Sequence, residues 1–247
     1  MKTKLLVAAA AVALFAAPAA QADTVKIGFI NTFSGNLAIF GKHKKFLIGT
    51  NAGWSNMAGQ DCHPLFFSTS WNNDQTPEAM GKLMSDEKIK NVFEVSVNYQ
   101  AGKDMLKGFE RYYKADTAGR ILVRLGQTDY QAEISQIRAA KPGAIFAFLP
   151  GGMGLAFTKQ YRAAGLDIPF YSAFTIDWLT LKAHGKNAIG TYHTNFWDID
   201  SKHPQNQKFL TGFIEKYGYH PSSYAAQAYD MPFLLNDAIN AVKGDLS

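Results

Sequence analysis

Apolar and polar positions along the chain alternate in blocks that predict helices and strands in turn. Between residues 131 and 140 the apolar side chains recur at helical spacing, and Lys-Pro-Gly then ends that helix because proline lacks an N–H. Residues 144–149 are almost wholly apolar, which is typical of a strand buried on both faces. A Pro-Gly-Gly turn at 150–152 follows, and a second amphipathic helix ends at Gly165. This succession is the repeating unit of a parallel α/β sheet.

The same alternation extends along most of the chain. Helices are predicted at 102–114 and 207–217, where aromatic and aliphatic residues share one stripe. Strands are predicted at 25–30, 47–50, 92–97, 121–125, 144–149, 169–172 and 190–195. Strands that alternate with helices indicate an α/β fold with parallel sheets. Because ligands bind at the carboxyl ends of such strands, the turn that contains Pro150 and Gly151 predicts a ligand cleft beside it.

The N-terminus has the features of an export signal. Two lysines precede an apolar run at residues 5–17, and small residues at 20–22 stand just before Asp23. This pattern predicts a secretory signal peptide at residues 1–22. A membrane anchor is the alternative, but the run is shorter than the roughly 20 apolar residues that cross a bilayer core. No second run of that length follows, so we expect an exported, soluble protein.

Charge, cysteine usage and motifs argue against several classes of protein. The net charge of +5 is not concentrated in the basic stripe typical of nucleic-acid-binding proteins. Cys62 is the only cysteine, which excludes an internal disulfide and a paired-cysteine metal site. The six histidines do not stand at metal-ligand spacing, and the dinucleotide, nucleophile-elbow and zinc-protease motifs are absent. We therefore expect no enzymatic activity, no cofactor, no metal and no nucleic-acid partner.

Seven phrases of the sequence, in a fixed order, resemble one protein family. They are KIGFINTFSG at 26–35, SNMAG at 55–59, FFSTSWNNDQTPEAMGKLM at 66–84, NYQAGKDML at 98–106, the helix–strand–helix phrase at 131–166, YSAFTID at 171–177 and YAAQAYD at 224–230. Each phrase is weak alone, but their shared order is specific. The chain resembles the periplasmic solute-binding proteins of ABC importers, in the branched-chain amino-acid-binding group.

The resemblance implies a two-lobed fold with parallel sheets and a hinge that closes the lobes over a ligand. Lobe one would comprise residues 23–98 plus 198–247, and lobe two residues 99–197. The protein would be a periplasmic monomer that captures a small molecule and delivers it to an ABC permease in the inner membrane. A periplasmic sensory receptor of the same fold is the alternative.

Lobe one is expected to be incomplete. After residues 41–45 the chain passes directly to 46–50, which resembles the fourth strand of the family's first lobe, so two βα units are missing. The sequence also stops early, at Ser247. Three strands would remain, at 25–30, 47–50 and 92–97, where the family builds five. We therefore expect lobe two to fold better than lobe one, and a truncated remnant without a ligand is a third alternative.

The resemblance also implies a set of ligand contacts. Several of these residues have a structural alternative, since an aromatic residue could pack in the core and the segment 51–53 could be a plain turn. Tyr99 is the strongest candidate, because its flat face and polar tip suit a pocket wall. Together with the turn after the strand at 144–149, the candidates are Phe40, Asn51, Ala52, Gly53, Trp71, Tyr99, Pro150, Gly151 and Phe174.

Phe174 is the most informative departure from the family. The amino-acid-binding members have an acidic residue here that binds the ligand's ammonium group, which phenylalanine cannot do. An unpaired ammonium in a dry cleft is costly. Asp177 could substitute, or it could cap the helix that follows. A pocket rich in aromatic residues and poor in acids favours a carboxylate without an amine, such as an aromatic or other hydrophobic acid, over a branched-chain amino acid.

Overall fold

The computed structural model describes residues 46–51 and 53–243, all of which lie in one compact unit of the chain. The predicted signal peptide, the predicted strand at 25–30, Phe40 and Ala52 lie outside the described residues. The strands are β1 (Leu47–Gly49), β2 (Phe66–Ser68), β3 (Val92–Val97), β4 (Thr117–Val123), β5 (Ala144–Phe148), β6 (Phe170–Ala173) and β7 (Thr191–Thr194). The α-helices are α1 (Gln75–Asp86), α2 (Gln100–Tyr112), α3 (Gln131–Ala140), α4 (Gly152–Ala163), α5 (Trp178–His184), α6 (Pro204–Tyr217) and α7 (Ser223–Ala241).

Five strands form the larger sheet, in the order β4-β3-β5-β6-β7, and every neighbouring pair is parallel. Alternate residues of β5 face opposite layers because side chains alternate across a strand. Phe146 packs in the layer that holds Phe109 of α2, and Ile145 packs in the layer that holds Phe157 of α4. The sheet is thus covered on both faces, as the parallel α/β prediction required.

The smaller sheet consists of β1 and β2, which pair in parallel with Leu47 opposite Phe66. Neither strand is fully buried, and Phe46 and Phe67 remain exposed. Two short strands alone are marginally stable. We therefore expect the smaller sheet to be less stable than the larger one. The strand β2 was not predicted from the sequence.

The prediction that placed residues 92–97 in lobe one is wrong. The strand β3 hydrogen-bonds to β4 on one side and β5 on the other, in the interior of the larger sheet. All six of its residues are buried, as a central strand covered on both faces requires. The helix α1, which precedes β3, already packs against β6 and β7, so the chain reaches the larger sheet in the segment between β2 and α1 rather than at Tyr99.

Other predicted elements are confirmed with shifted ends. The strand predicted at 121–125 begins earlier, at Thr117, and the helix predicted at 102–114 begins at Gln100. The helix α7 continues through Pro232 over its full length. In the described part of the chain, no helix is long and apolar enough to cross a membrane.

Candidate functional site

Four of the predicted ligand-binding residues lie at the carboxyl edge of the larger sheet. Tyr99 follows β3, Pro150 and Gly151 follow β5, and Phe174 follows β6. Because β3, β5 and β6 are neighbours in the sheet, these residues meet at one edge. This is the edge at which ligands of open parallel sheets bind.

Tyr99 is held between β3 and α2. It is the extended N-cap residue of α2, with φ −151°, and its N–H donates to Val97 O at 2.8 Å. A side chain at Gly102 would place its Cβ 1.9 Å from Val97 O, so only glycine lets the helix begin this close to the strand. The Tyr99 ring stacks on Phe148 with 6.4 Å between centroids. Burial raises the pKa of Tyr99 to about 12, so the hydroxyl is neutral at physiological pH.

An aromatic cluster forms beside Tyr99. Trp71 stacks on Phe174 at 4.2 Å and on Phe196 at 4.9 Å between ring centroids, and Tyr224 lies 6.4 Å from it. Trp71 and Phe174 are only 9% and 2% exposed. Phe174 has φ 53°, a left-handed conformation that costs a bulky side chain about 1–3 kcal/mol and that clusters at functional sites.

The segment after β1 packs directly against Trp71. A Cβ on Gly53 would lie 1.6 Å from Trp71 O, and Gly53 O accepts a hydrogen bond from Asn73 N at 2.6 Å. This close backbone approach leaves room for glycine alone at position 53. Asn51 lies next to it, and its Oδ1 accepts from Gln227 Nε2 at 3.2 Å.

Asp177 is hydrogen-bonded to two helices. Its Oδ1 accepts from Leu179 N at 2.9 Å and caps α5, and Thr180 completes a capping box. Its Oδ2 accepts from Ser223 Oγ at 2.8 Å. The predicted capping role is therefore present, and both carboxylate oxygens have partners within the protein.

Sequence reasoning did not select the residues that the N-terminal end of α7 brings to this site. They are Ser223, Tyr224 and Gln227, of which Ser223 and Gln227 lie four positions apart and so share one helix face. The available signal was the phrase YAAQAYD, which supported the resemblance but was not interpreted as a ligand contact. Burial raises the pKa of Tyr224 to about 12, with smaller contributions from Asp177 and Tyr99.

Several buried polar atoms of the described residues have no hydrogen-bond partner, and two of them belong to side chains already placed at this site. They are Trp71 Nε1, a donor, and Gln227 Oε1, an acceptor. Buried polar groups normally find partners, but neither atom is accessible to solvent in this conformation. Among the described residues, no cluster of three or more His, Cys, Asp or Glu side chains could hold a metal ion.

The chain belongs to the periplasmic binding protein family. The family model, described as periplasmic binding protein, matches residues 28–247. A search among curated proteins gave no match.

Solved structures of solute-binding proteins of ABC transporters share the fold. One from R. palustris, in complex with benzoate, is 31% identical with a TM-score of 0.76, and the match covers 80% of this chain and 56% of that one. One from Rhodopseudomonas palustris BisB5, in complex with 3,4-dihydroxybenzoic acid, is 25% identical with a TM-score of 0.78, and the match covers 84% of this chain and 59% of that one. A leucine-binding protein from Thermotoga maritima is 19% identical with a TM-score of 0.71, and the match covers 83% of this chain and 59% of that one. At this identity the comparison supports a shared fold and nothing further. This chain spans less than two thirds of each of these proteins.

Proposed function

We propose that this chain is the periplasmic substrate-binding component of an ABC importer and that its ligand is a small carboxylate without an amine, an aromatic or other hydrophobic acid. Membership of the periplasmic binding protein family supports the binding role. The similar structures are solute-binding proteins of ABC transporters, which supports an importer with an inner-membrane permease and a periplasmic location. The 31% identical relative was solved with benzoate, which has a carboxylate and no amine.

The engagement of Asp177 is the observation that carries the choice of ligand. Its two oxygens accept hydrogen bonds from Leu179 N and Ser223 Oγ, so an ammonium group would have to share this carboxylate with the two helices that it joins. Phe174 supplies no charge. Burying an ammonium without a partner would cost several kcal/mol, so an amino acid would bind poorly here.

We infer the position of the ligand from which aromatic side chains of the cluster are partly exposed. Phe174 and Trp71 are stacked on each other, so a ligand would not fit between their rings in this conformation. Tyr99 and Tyr224 are only half-buried and pack at the margin of the same cluster. We place the aromatic ring of the ligand against Tyr99 and its polar group near the two tyrosine hydroxyls. A neutral phenol donates a hydrogen bond to a carboxylate without paying for a buried charge.

Isothermal titration calorimetry with benzoate, 4-hydroxybenzoate and leucine tests this function. We expect the aromatic acids to bind and leucine not to bind. Tyr99→Ala should weaken the binding of the aromatic acid by about 1–3 kcal/mol, the usual range for the loss of an aromatic anchor. Tyr112→Ala is the matched control, because Tyr112 is exposed on α2 away from the site. Tight binding of leucine or valine without binding of aromatic acids would contradict the proposed ligand.

A non-binding remnant is the second candidate. The closed stack of Trp71 on Phe174 would fill the same space in a protein that no longer binds a ligand. Absence of any heat of binding for a folded, monodisperse sample would favour the remnant over the importer component.

A further inference from the structure

A hydrogen-bonded brace joins α4 and α5, the two helices that begin beside the candidate ligand site. His184, the last residue of α5, is only 1% exposed, and its Nδ1 atom lies 2.8 Å from Thr158 Oγ1 of α4. The Thr158 hydroxyl donates in turn to Gly154 O at 2.8 Å, in the first turn of the same helix. Because a hydroxyl has one proton to give, His184 Nδ1 is the donor to Thr158, and Nε2 of the neutral ring carries no proton.

This brace leads to the two turns that form the edge of the site. Gly154 packs against both turns, since a Cβ at this position would lie 2.4 Å from Leu149 O and 2.5 Å from Thr175 O. Leu149 N also donates to Thr175 Oγ1 at 3.0 Å. Leu149 directly precedes Pro150, and Thr175 directly follows Phe174. Close packing transmits small shifts, so a movement of α4 relative to α5 would displace residues that we propose as ligand contacts.

The surroundings of His184 stabilise only the neutral imidazole. Among the described residues, Nε2 is buried without a hydrogen-bond partner, so a proton on this atom would have no acceptor. Asp177 is the only acid on the elements packed against His184, and it caps the opposite end of α5, about 10 Å away at 1.5 Å per residue. The other charged side chains on these elements are basic: Lys159 and Arg162 of α4, Lys182 of α5 and Lys186 of the short turn Gly185–Ala188.

Protonation of His184 is therefore expected to break the brace. Burial, together with the charge of Lys159, lowers the pKa of His184. A protonated ring has to leave its buried position to hydrate its charge, and its departure breaks the contact with Thr158. The stability that the neutral brace contributes is present above the ordinary pKa of histidine and is lost as the pH falls through the lower value of the folded chain.

We propose that His184 and Thr158 form an acid-sensitive brace that holds the ligand edge rigid at neutral pH and loosens it in acid, so that a bound carboxylate is released more readily. His184 is a positioning residue in this device, because it acts on the ligand through Thr158 and Gly154. A buried histidine suits such a switch, since its charge changes close to physiological pH. The choice of ligand rests on the proposed function, whereas the brace itself can be tested without a ligand.

Calorimetric titration with benzoate at about pH 7.5 and about pH 5 tests the coupling to the ligand, because a carboxylate stays largely ionised over this range while a histidine titrates. The dissociation constant of the unsubstituted chain should rise by about threefold to tenfold in acid, within the roughly tenfold per pH unit that one coupled proton allows. In His184→Gln the rise should be lost, because the amide can still donate to Thr158 but does not titrate. His193→Gln is the matched control, since desolvation also lowers the pKa of His193, and this variant should keep the acid response.

Hydrogen exchange of the ligand-free chain tests the brace independently of any ligand. After correction for the intrinsic effect of pH on exchange, the backbone amides of residues 151–155 and 175–177 should lose protection in acid in the unsubstituted chain. They should not lose it in His184→Gln. Thr158→Val removes the hydroxyl and keeps the shape of the side chain, so it should lower the protection of these amides at both pH values.

The outcomes separate the brace from the proposed function. An equal loss of protection in the unsubstituted chain and in His184→Gln, or an acid response that disappears in His193→Gln instead, would overturn the brace. A benzoate affinity that falls equally in the unsubstituted chain and in His184→Gln would show that the brace does not control the ligand, and the proposal would fail although the binding function stands. Absence of benzoate binding at both pH values would contradict the proposed function, and hydrogen exchange would then decide on the brace alone.

Discussion

Replacing Asp177 by alanine should loosen two helices at once, because each carboxylate oxygen accepts a hydrogen bond from a different helix. The Oδ1 atom caps α5 through Leu179 N at 2.9 Å, and the Oδ2 atom binds Ser223 Oγ of α7 at 2.8 Å. Ser223 is fully buried, so water cannot replace the lost partner without a rearrangement. The two losses are therefore expected to act on stability together.

The size of the effect follows from these two contacts. Loss of an N-cap costs about 0.5–2 kcal/mol, and a buried hydroxyl left without a partner costs about 1–3 kcal/mol. Asp177→Ala should thus lower the free energy of unfolding by about 2–4 kcal/mol. Thr180→Val removes only the reciprocal half of the capping box and should cost less than about 1 kcal/mol.

Urea unfolding followed by circular dichroism would measure these differences. Ser223→Ala and the double variant with Asp177→Ala complete a double-mutant cycle that isolates the contact between α5 and α7. We expect a coupling of about 1–2 kcal/mol, which exceeds the roughly 0.5 kcal/mol scatter of independent sites. If the two substitutions are additive, or if Asp177→Ala costs less than the Thr180 control, the carboxylate does not join the two helices and the reasoning fails.

Three further predictions concern stability. Burial, aided by the charge of Lys159, lowers the pKa of His184 below 6.5, so the stability that the neutral imidazole contributes is present above that pH and is lost as the pH falls. The variant His184→Gln should therefore show a smaller decline of melting temperature in acid than the unsubstituted chain. Parallel curves of melting temperature against pH would contradict this. Arg120 Nε lies 2.6 Å from Oε2 of the fully buried Glu94. The variant Arg120→Met should lower the free energy of unfolding by about 3 kcal/mol, because it leaves a buried charge unpaired. The double variant Arg120→Met/Glu94→Gln should recover part of that loss in urea unfolding. Hydrogen exchange should show strong protection of the backbone amides in β3 and β5 and weak protection in β1. Equal protection in all three strands would show that the smaller sheet is as stable as the larger one.

The larger sheet was predictable because its signals are local. The run at 144–149 is apolar on both faces and is followed by Pro150 and Gly151, and this pattern alone defines a buried strand with a turn at its carboxyl end. The strand β2 was missed because Phe66–Ser68 is only three residues long, too short for any period to show. The length and composition of an element decide how much of it can be predicted.

The partners of β3 could not be predicted in the same way. Its six residues are buried in a pattern that any central strand would show. Which sheet it joins depends on hydrogen bonds to residues 117–123 and 144–148, far along the chain. The wrong assignment came from carrying a lobe boundary over from the family, whereas the local pattern itself was interpreted correctly.

For the candidate site, the sequence identified single residues but not their contacts. Tyr99 and Phe174 were selected from motifs, and both lie at the carboxyl edge of the larger sheet. That Phe174 would stack on Trp71 depends on two segments about a hundred positions apart. The hydrogen bond from Ser223 to Asp177 likewise spans 46 positions. Neither contact can be predicted from the spacing of residues within one segment.

The first turns of α7 join the two sheets, and this bears on whether a chain with a shortened first lobe can still bind a ligand. On one side Ser223 is bonded to Asp177 at the edge of the larger sheet. On the other, Gln227 donates to Asn51 Oδ1 at 3.2 Å, and its backbone oxygen accepts from Thr69 Oγ1 at 2.9 Å. Tyr224 lies between these anchors. A ligand against Tyr99 and Tyr224 would therefore contact the larger sheet and the helix that holds the smaller sheet to it. Its affinity would depend on this junction more than on the strands of lobe one that are predicted to be absent.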